Sequence, residues 1–155
     1  MQAIFDVILR ILADGLVVPI VILGGIAMLK LPRAQWSELF PRAIVTGLVA
    51  LTFAKIISLL YQGERPFEIL GIDPGASYLA NPGFPSDHSL FVFTIAFVVW
   101  ASTRNKRITM GLLIMSVLVA LGRVLALVHT PADVLGGFAC ALAAVWVMYG
   151  KRILP

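Results

Sequence analysis

Two histidines are all the chain has, and each stands in a short polar island beside a long apolar run. One island reads Pro85-Ser86-Asp87-His88. The other reads Gly122-Arg123, then His129 six residues after the arginine, then Asp133 four residues further on. Lys55 and the pair Arg65-Pro66 stand at the far end of another apolar run. Ionisable groups at the ends of membrane-length segments are expensive unless they pair or do chemistry. Their types are complementary: permanent cations, imidazoles, a hydroxyl and carboxylates, the parts of an anion site with a nucleophile. Lysine and arginine suit phosphate oxygens by point charge or bidentate contact. A neutral imidazole can attack phosphorus when a carboxylate holds its tautomer and stabilises the cation that forms.

The spacing says how these groups are held. Pro131 suits the first turn of a helix and biases Thr130 toward a capping conformation. Thr130 as N-cap puts Asp133 at the third helical position, four residues from His129 and close enough for its carboxylate to hold one ring nitrogen. Ser86, after Pro85, is a natural N-cap for the next helix. Two helix N-termini, each with free N–H donors and the positive end of its dipole, would then face one anion.

The positioning elements are membrane spans. With 60% hydrophobic and only 13% charged residues and a mean hydropathy of +0.98, the 155-residue chain reads as an integral membrane protein of one domain, residues 1–155. Five spans are expected, at about 15–31, 43–61, 86–101, 108–128 and 131–150. A polar connection from Gln62 to Pro85 joins the second to the third. Met1 to Ala13 carries Asp6 and Arg10 among apolar residues at helical spacing and lacks a basic leader or cleavage site. It reads as an interfacial amphipathic helix. The fold class is therefore all-α, a polytopic bundle. Gly24-Gly25 and Gly136-Gly137 read as close-packing surfaces, and Trp36, Trp100, Trp146, Tyr61 and Tyr149 as interface residues.

The net charge of +4 does not signal nucleic acid, because the basic residues cluster beside spans instead of forming a stripe. Eight of the twelve, Lys30, Arg33, Arg42, Arg104, Lys106, Arg107, Lys151 and Arg152, fall on one face of a five-span chain. That face is expected to be cytoplasmic, with the C-terminus inside and both histidines on the extracytoplasmic surface of a plasma membrane. Cys140 lies in an apolar run and reads as a small buried residue. No clustered carboxylates or His/Cys sets suggest a metal site, and no cofactor is implied.

These islands resemble the signature of the type-2 phosphatidic acid phosphatase family, which reads approximately Lys-x6-Arg-Pro, Pro-Ser-Gly-His and Ser-Arg-x5-His-x3-Asp. The resemblance covers roughly Lys55 to Gly137. It implies that His129 is the nucleophile, forming a phosphohistidine, that Asp133 orients it, and that His88 protonates the leaving oxygen. Lys55, Arg65, Ser86 and Arg123 would hold the phosphate, with Asp87 beside them, and no metal would take part. The family bundle usually has six spans, and the N-terminal segment looks like a reduced sixth element. The pattern is departed from in three ways: nine residues instead of six lie between Lys55 and Arg65, Gly122 replaces the usual serine, and Asp87 replaces the usual glycine. The Pro-Ser-Asp-His form resembles the branch that hydrolyses undecaprenyl diphosphate. The implied partners are a lipid phosphate or diphosphate and the bilayer. Other lipid phosphates, such as phosphatidic acid, phosphatidylglycerol phosphate or lipid A, remain alternatives, as does a non-enzymatic lipid-binding protein.

Overall fold

A computed structural model of the chain describes residues 2–79 and 82–153, residue 2 and residues 151–153 by backbone alone. The basic side chains of Lys151 and Arg152, expected to mark the cytoplasmic end, thus lie outside the described residues. All regular structure among the described residues is helical.

The chain starts with α1 (Gln2–Arg10), a π-helical turn (Ile11–Gly15) and α2 (Val17–Leu29), which run on as one apolar helix of 27 residues from Ala3 to Leu29. The expected N-terminal amphipathic helix is present as α1, but it is not set apart from the first span. Pro19 accounts for the widened turn. It has no N–H for the Gly15 carbonyl, and its ring crowds that carbonyl. The ladder shifts one residue, so that the Leu16 N–H donates to Ile11 O, five residues back, at 2.9 Å.

A 3-10 turn (Arg33–Gln35) leads into α3 (Trp36–Leu60), and a short α4 (Pro66–Leu70) lies in the long connection. Then come α5 (Asp87–Thr103), α6 (Lys106–Leu125) and α7 (Pro131–Ile153). Ala3–Leu29, Arg33–Leu60, Lys106–Leu125 and Pro131–Gly150 are long and apolar enough to cross a bilayer, and α5 is the short apolar helix among them. At 1.5 Å per residue α5 spans about 26 Å, slightly less than a hydrocarbon core of about 30 Å. It can be short because it is the central helix, packed against α2, α3, α6 and α7. Its buried residues, among them Leu90, Val92, Phe93, Ala96 and Val99, point in all directions, as a helix enclosed by others requires. The outer helices instead expose Ile44, Leu48, Ile114, Val117, Leu121, Trp146 and Val147. In water that would be a liability; here it is the lipid-facing surface of a multi-pass membrane protein.

Close packing by neighbouring helices or by the loop before α5 explains three of the four paired glycines. A Cβ at Gly137 would lie 2.6 Å from Ser86 O, at Gly136 2.6 Å from the Phe84 ring, and at Gly24 2.6 Å from Ile95. Gly25 instead faces open space and lines a groove. At the end of the bundle where α3 begins and α7 ends, the Arg42 guanidinium lies over the Tyr149 ring at 5.6 Å. Tyr149 is buried there, so it is not an interface residue as its sequence position suggested. At the opposite end Leu9, Ala13, Phe67, Ala76, Ala126 and Val128 form a second apolar cluster, separate from the main core.

Candidate active site

The helix starts form as their residue types demand. Pro131 opens α7, and Thr130 and Asp133 cap each other. The Asp133 N–H donates to Thr130 Oγ1 at 3.2 Å, and the Thr130 N–H donates to Asp133 Oδ2 at 2.7 Å. Ser86 caps α5, its Oγ accepting from the Ser89 N–H at 3.4 Å. The Ser86 N–H donates to the Asp133 carbonyl at 2.9 Å, which ties the two N-termini together. The lack of a side chain at Gly137 permits that proximity.

His129 sits in the loop between α6 and α7. α6 ends at Leu125, Leu127 turns the chain in the left-handed region (φ 58°), and the His129 N–H donates to Arg123 O at 3.3 Å. The ring is almost fully buried, with Nδ1 facing Asp133 Oδ2 at 3.5 Å and Nε2 facing Arg65 Nη1 at 3.5 Å. Burial pushes the imidazole below its ordinary value of 6.5. The Asp133 carboxylate beside Nδ1 opposes that shift, and the Arg123 and Arg65 charges reinforce it. A ring kept neutral, with one nitrogen toward a carboxylate and the other toward a cationic pocket, is a competent nucleophile.

Both arginines are buried, Arg65 at 4% and Arg123 at 1% exposure. Arg65 precedes Pro66 at the start of α4, and its backbone N–H donates to Glu68 Oε2 at 3.0 Å. Its side chain reaches Val128 O at 2.8 Å and Leu79 O at 3.1 Å and lies over the Tyr78 ring at 5.5 Å. Arg123 donates from Nη1 to Asp14 Oδ1 at 2.6 Å, and its buried Nε has no partner among the described residues. Such an orphan donor is costly in a protein interior unless something fills it.

Arg65, Arg123, His88 and His129 line one cavity of about 270 Å³ together with Ser77, Tyr78, Leu79 and Asp87. It suits a phosphate or diphosphate headgroup and is too small for a lipid chain. Six of the eight expected site residues thus meet: five line or flank the cavity by side chain, and Asp133 stands behind His129. Ser86 does not line it, since its fully buried hydroxyl serves as the helix cap. Lys55 does not line it either. It is exposed on α3 and borders a separate cleft of about 20 Å³ with Ser58, Pro82, Phe84 and Pro85, which shares only Asp87 with the cavity. The nine-residue separation from Arg65 leaves Lys55 on the helix, more than a turn before its end at Leu60.

The residue that sequence reasoning missed is Asp14, in the π-turn. Besides its bond to Arg123 it lies 3.5 Å from His88 Nε2 and accepts the Ser77 N–H at 3.0 Å. A signal was present: an acid inside a 27-residue apolar helix calls for a partner. Ser77, Tyr78 and Leu79 carried no such signal.

Two imidazoles, each with a carboxylate oxygen 3.5 Å away, and two buried arginines meet at one end of a helical membrane bundle, so the class is that of a membrane protein with a polar site whose chemistry suits an oxyanion. The chain belongs to the PAP2 superfamily, whose model matches residues 39–152 and so covers every motif above. It is 31% identical over 98 residues to the undecaprenyl-diphosphatase BcrC of Bacillus subtilis (strain 168), covering 63% of this chain and 50% of that protein. It is 28% identical over 132 residues to YbjG of Escherichia coli (strain K12), covering 76% of this chain and 65% of that protein. It is also 28% identical over 96 residues to the bacitracin transport permease protein BcrC of Bacillus licheniformis, covering 61% and 46%. The chain thus spans about half to two thirds of the length of these relatives. No solved structure matches it.

Proposed function

We propose that this protein is a metal-independent lipid phosphatase that dephosphorylates a polyprenyl diphosphate, undecaprenyl diphosphate above all, at the outer face of the membrane. One observation carries the reading: His129 stands between the Asp133 carboxylate and the cavity that holds both buried arginines and His88. In the first step His129 Nε2 forms a bond to the terminal phosphorus and the bond from phosphorus to the bridging oxygen breaks. His88 gives its proton to that oxygen, and polyprenyl monophosphate leaves. In the second step water attacks the phosphohistidine, His88 takes the water's proton, and inorganic phosphate is released. Asp133 holds the ring and stabilises the imidazolium that forms, while Arg65 and Arg123 meet the charge on the phosphoryl oxygens.

The lipid tail has a path. An apolar groove of about 450 Å³ runs between α2, α3 and α5 past Gly25, Gly47, Leu51 and Phe91, and Asp87 lines both this groove and the headgroup cavity. A lipid entering sideways from the bilayer would place its phosphate at the histidines. The eight basic residues at the other face support the extracytoplasmic placement of the site.

Phosphate release by the purified protein with EDTA present, from undecaprenyl diphosphate and phosphatidic acid side by side, tests this. The reading expects EDTA-resistant release, faster from the diphosphate, that His129→Ala abolishes. Release that survives His129→Ala refutes the histidine mechanism, and faster turnover of phosphatidic acid refutes the substrate.

A further inference from the structure

Asp14 belongs to none of the motifs and does not line the cavity, yet it touches three of the eight residues that do. Its Oδ1 lies 2.6 Å from Arg123 Nη1 and 3.5 Å from His88 Nε2, and its Oδ2 accepts the Ser77 N–H at 3.0 Å. The chain goes to some length to put it there. The π-turn sits against α6 at Gly122, where a Cβ would lie 2.7 Å from Ala13 N and 2.9 Å from Ala13 Cα. The residue that departs from the family pattern beside Arg123 is therefore the one whose missing side chain admits the backbone carrying Asp14. Widened helical turns of this kind recur at functional sites.

We propose that Asp14 is a positioning residue for phosphoryl transfer, holding Arg123 and His88 in the orientations the reaction uses. The proposal rests on the phosphatase reading above. Arg123 is buried and can aim its remaining donors only if one edge is fixed; the 2.6 Å ion pair fixes Nη1, while Nε has no partner among the described residues. His88, as the leaving-group acid, must start protonated, and a carboxylate within 3.5 Å favours that form. Burial first of all, and then Arg123 from α6 and His129 from the loop, disfavour the protonated ring; the carboxylates of Asp14 and, from its own helix, Asp87 are what favour it. A merely structural ion pair would not need to reach His88. A carboxylate that only competed with phosphate for Arg123 would gain nothing from the Ser77 anchor.

The test compares wild type, Asp14→Asn, Asp14→Glu and His129→Ala as purified full-length protein in detergent, with farnesyl diphosphate as substrate and inorganic phosphate as product inhibitor. Asp14→Asn keeps the shape and removes the charge. It is expected to lower kcat about 10- to 100-fold, the range that loss of an orienting partner commonly costs, with KM changed by less than about threefold. The alkaline limb of kcat/KM should move to lower pH, because His88 loses its proton more easily. Asp14→Glu should keep the wild-type limb even where kcat falls. A lower KM and tighter phosphate inhibition in Asp14→Asn, with kcat retained, would make Asp14 a competitor of substrate and overturn the proposal. So would a loss of activity that only tracks loss of folded protein while the pH limb stays put. Release that persists in His129→Ala would fail the phosphatase reading itself, whatever the Asp14 variants do.

Discussion

Gly122→Ala is the sharpest test of how the π-turn is held. The new methyl group would meet Ala13 N at 2.7 Å, Ala13 Cα at 2.9 Å and Leu12 C at 2.9 Å, all backbone atoms that no rotamer change can clear. Ordinary contact begins at 3.4 Å, so the π-turn and α6 must part by about 0.7 Å. Asp14 follows Ala13, and a shift of that size would stretch its 2.6 Å bond to Arg123 past the 2.7–2.9 Å usual for charge-assisted pairs. Overpacking of this kind costs about 1–3 kcal/mol, partly offset by the gain of about 0.5–1 kcal/mol from replacing a helical glycine with alanine. A net loss of about 1–2 kcal/mol would lower Tm by roughly 2–8 °C in a protein of this size. Gly111→Ala is the matched control on the same helix, since nothing lies within 4 Å of its Cβ position; it should be neutral or slightly stabilising. Tryptophan-fluorescence melting in detergent reads both variants, and phosphate release should fall several-fold in Gly122→Ala alone. Equal Tm and turnover for the two variants would refute the claim that Gly122 seats the π-turn.

Other consequences can be checked with the same preparation. Asp133→Asn keeps most of the α7 cap and removes the charge behind His129, so turnover should fall by about a hundredfold or more while the protein stays folded; a loss under about fivefold would show that His129 does not depend on Asp133. The folded value of His129 lies below 6.5, so the neutral ring survives as pH falls through 6.5, and the acid limb of kcat/KM should lie below that pH. An acid limb at or above 6.5 would mean that another group is being read. Lys55→Ala should change kcat/KM by less than about threefold, because Lys55 is exposed and off the cavity, whereas Arg65→Ala should lower it about a hundredfold or more. Comparable losses in the two would put Lys55 back at the phosphate.

What the sequence could show was governed by how far each constraint reaches along the chain. Thr130, Pro131 and Asp133 determine one helix start among themselves, so the His129–Asp133 pair was legible from spacing alone. The spans were legible for the same reason, except at their ends, where burial and not composition decides: α5 is short because other helices enclose it, and Tyr149 is buried because it meets Arg42 across the bundle. Lys55 shows the opposite failure, a residue of the right type whose register on α3 leaves it outside the cavity. Asp14 is the instructive case. Its place in the structure depends on Gly122, more than a hundred residues away, and on the room that a missing Cβ leaves there. An acid in an apolar helix announces that it has a partner; only the packing of α6 on the π-turn says that the partner is Arg123 and that the pair adjoins the pocket.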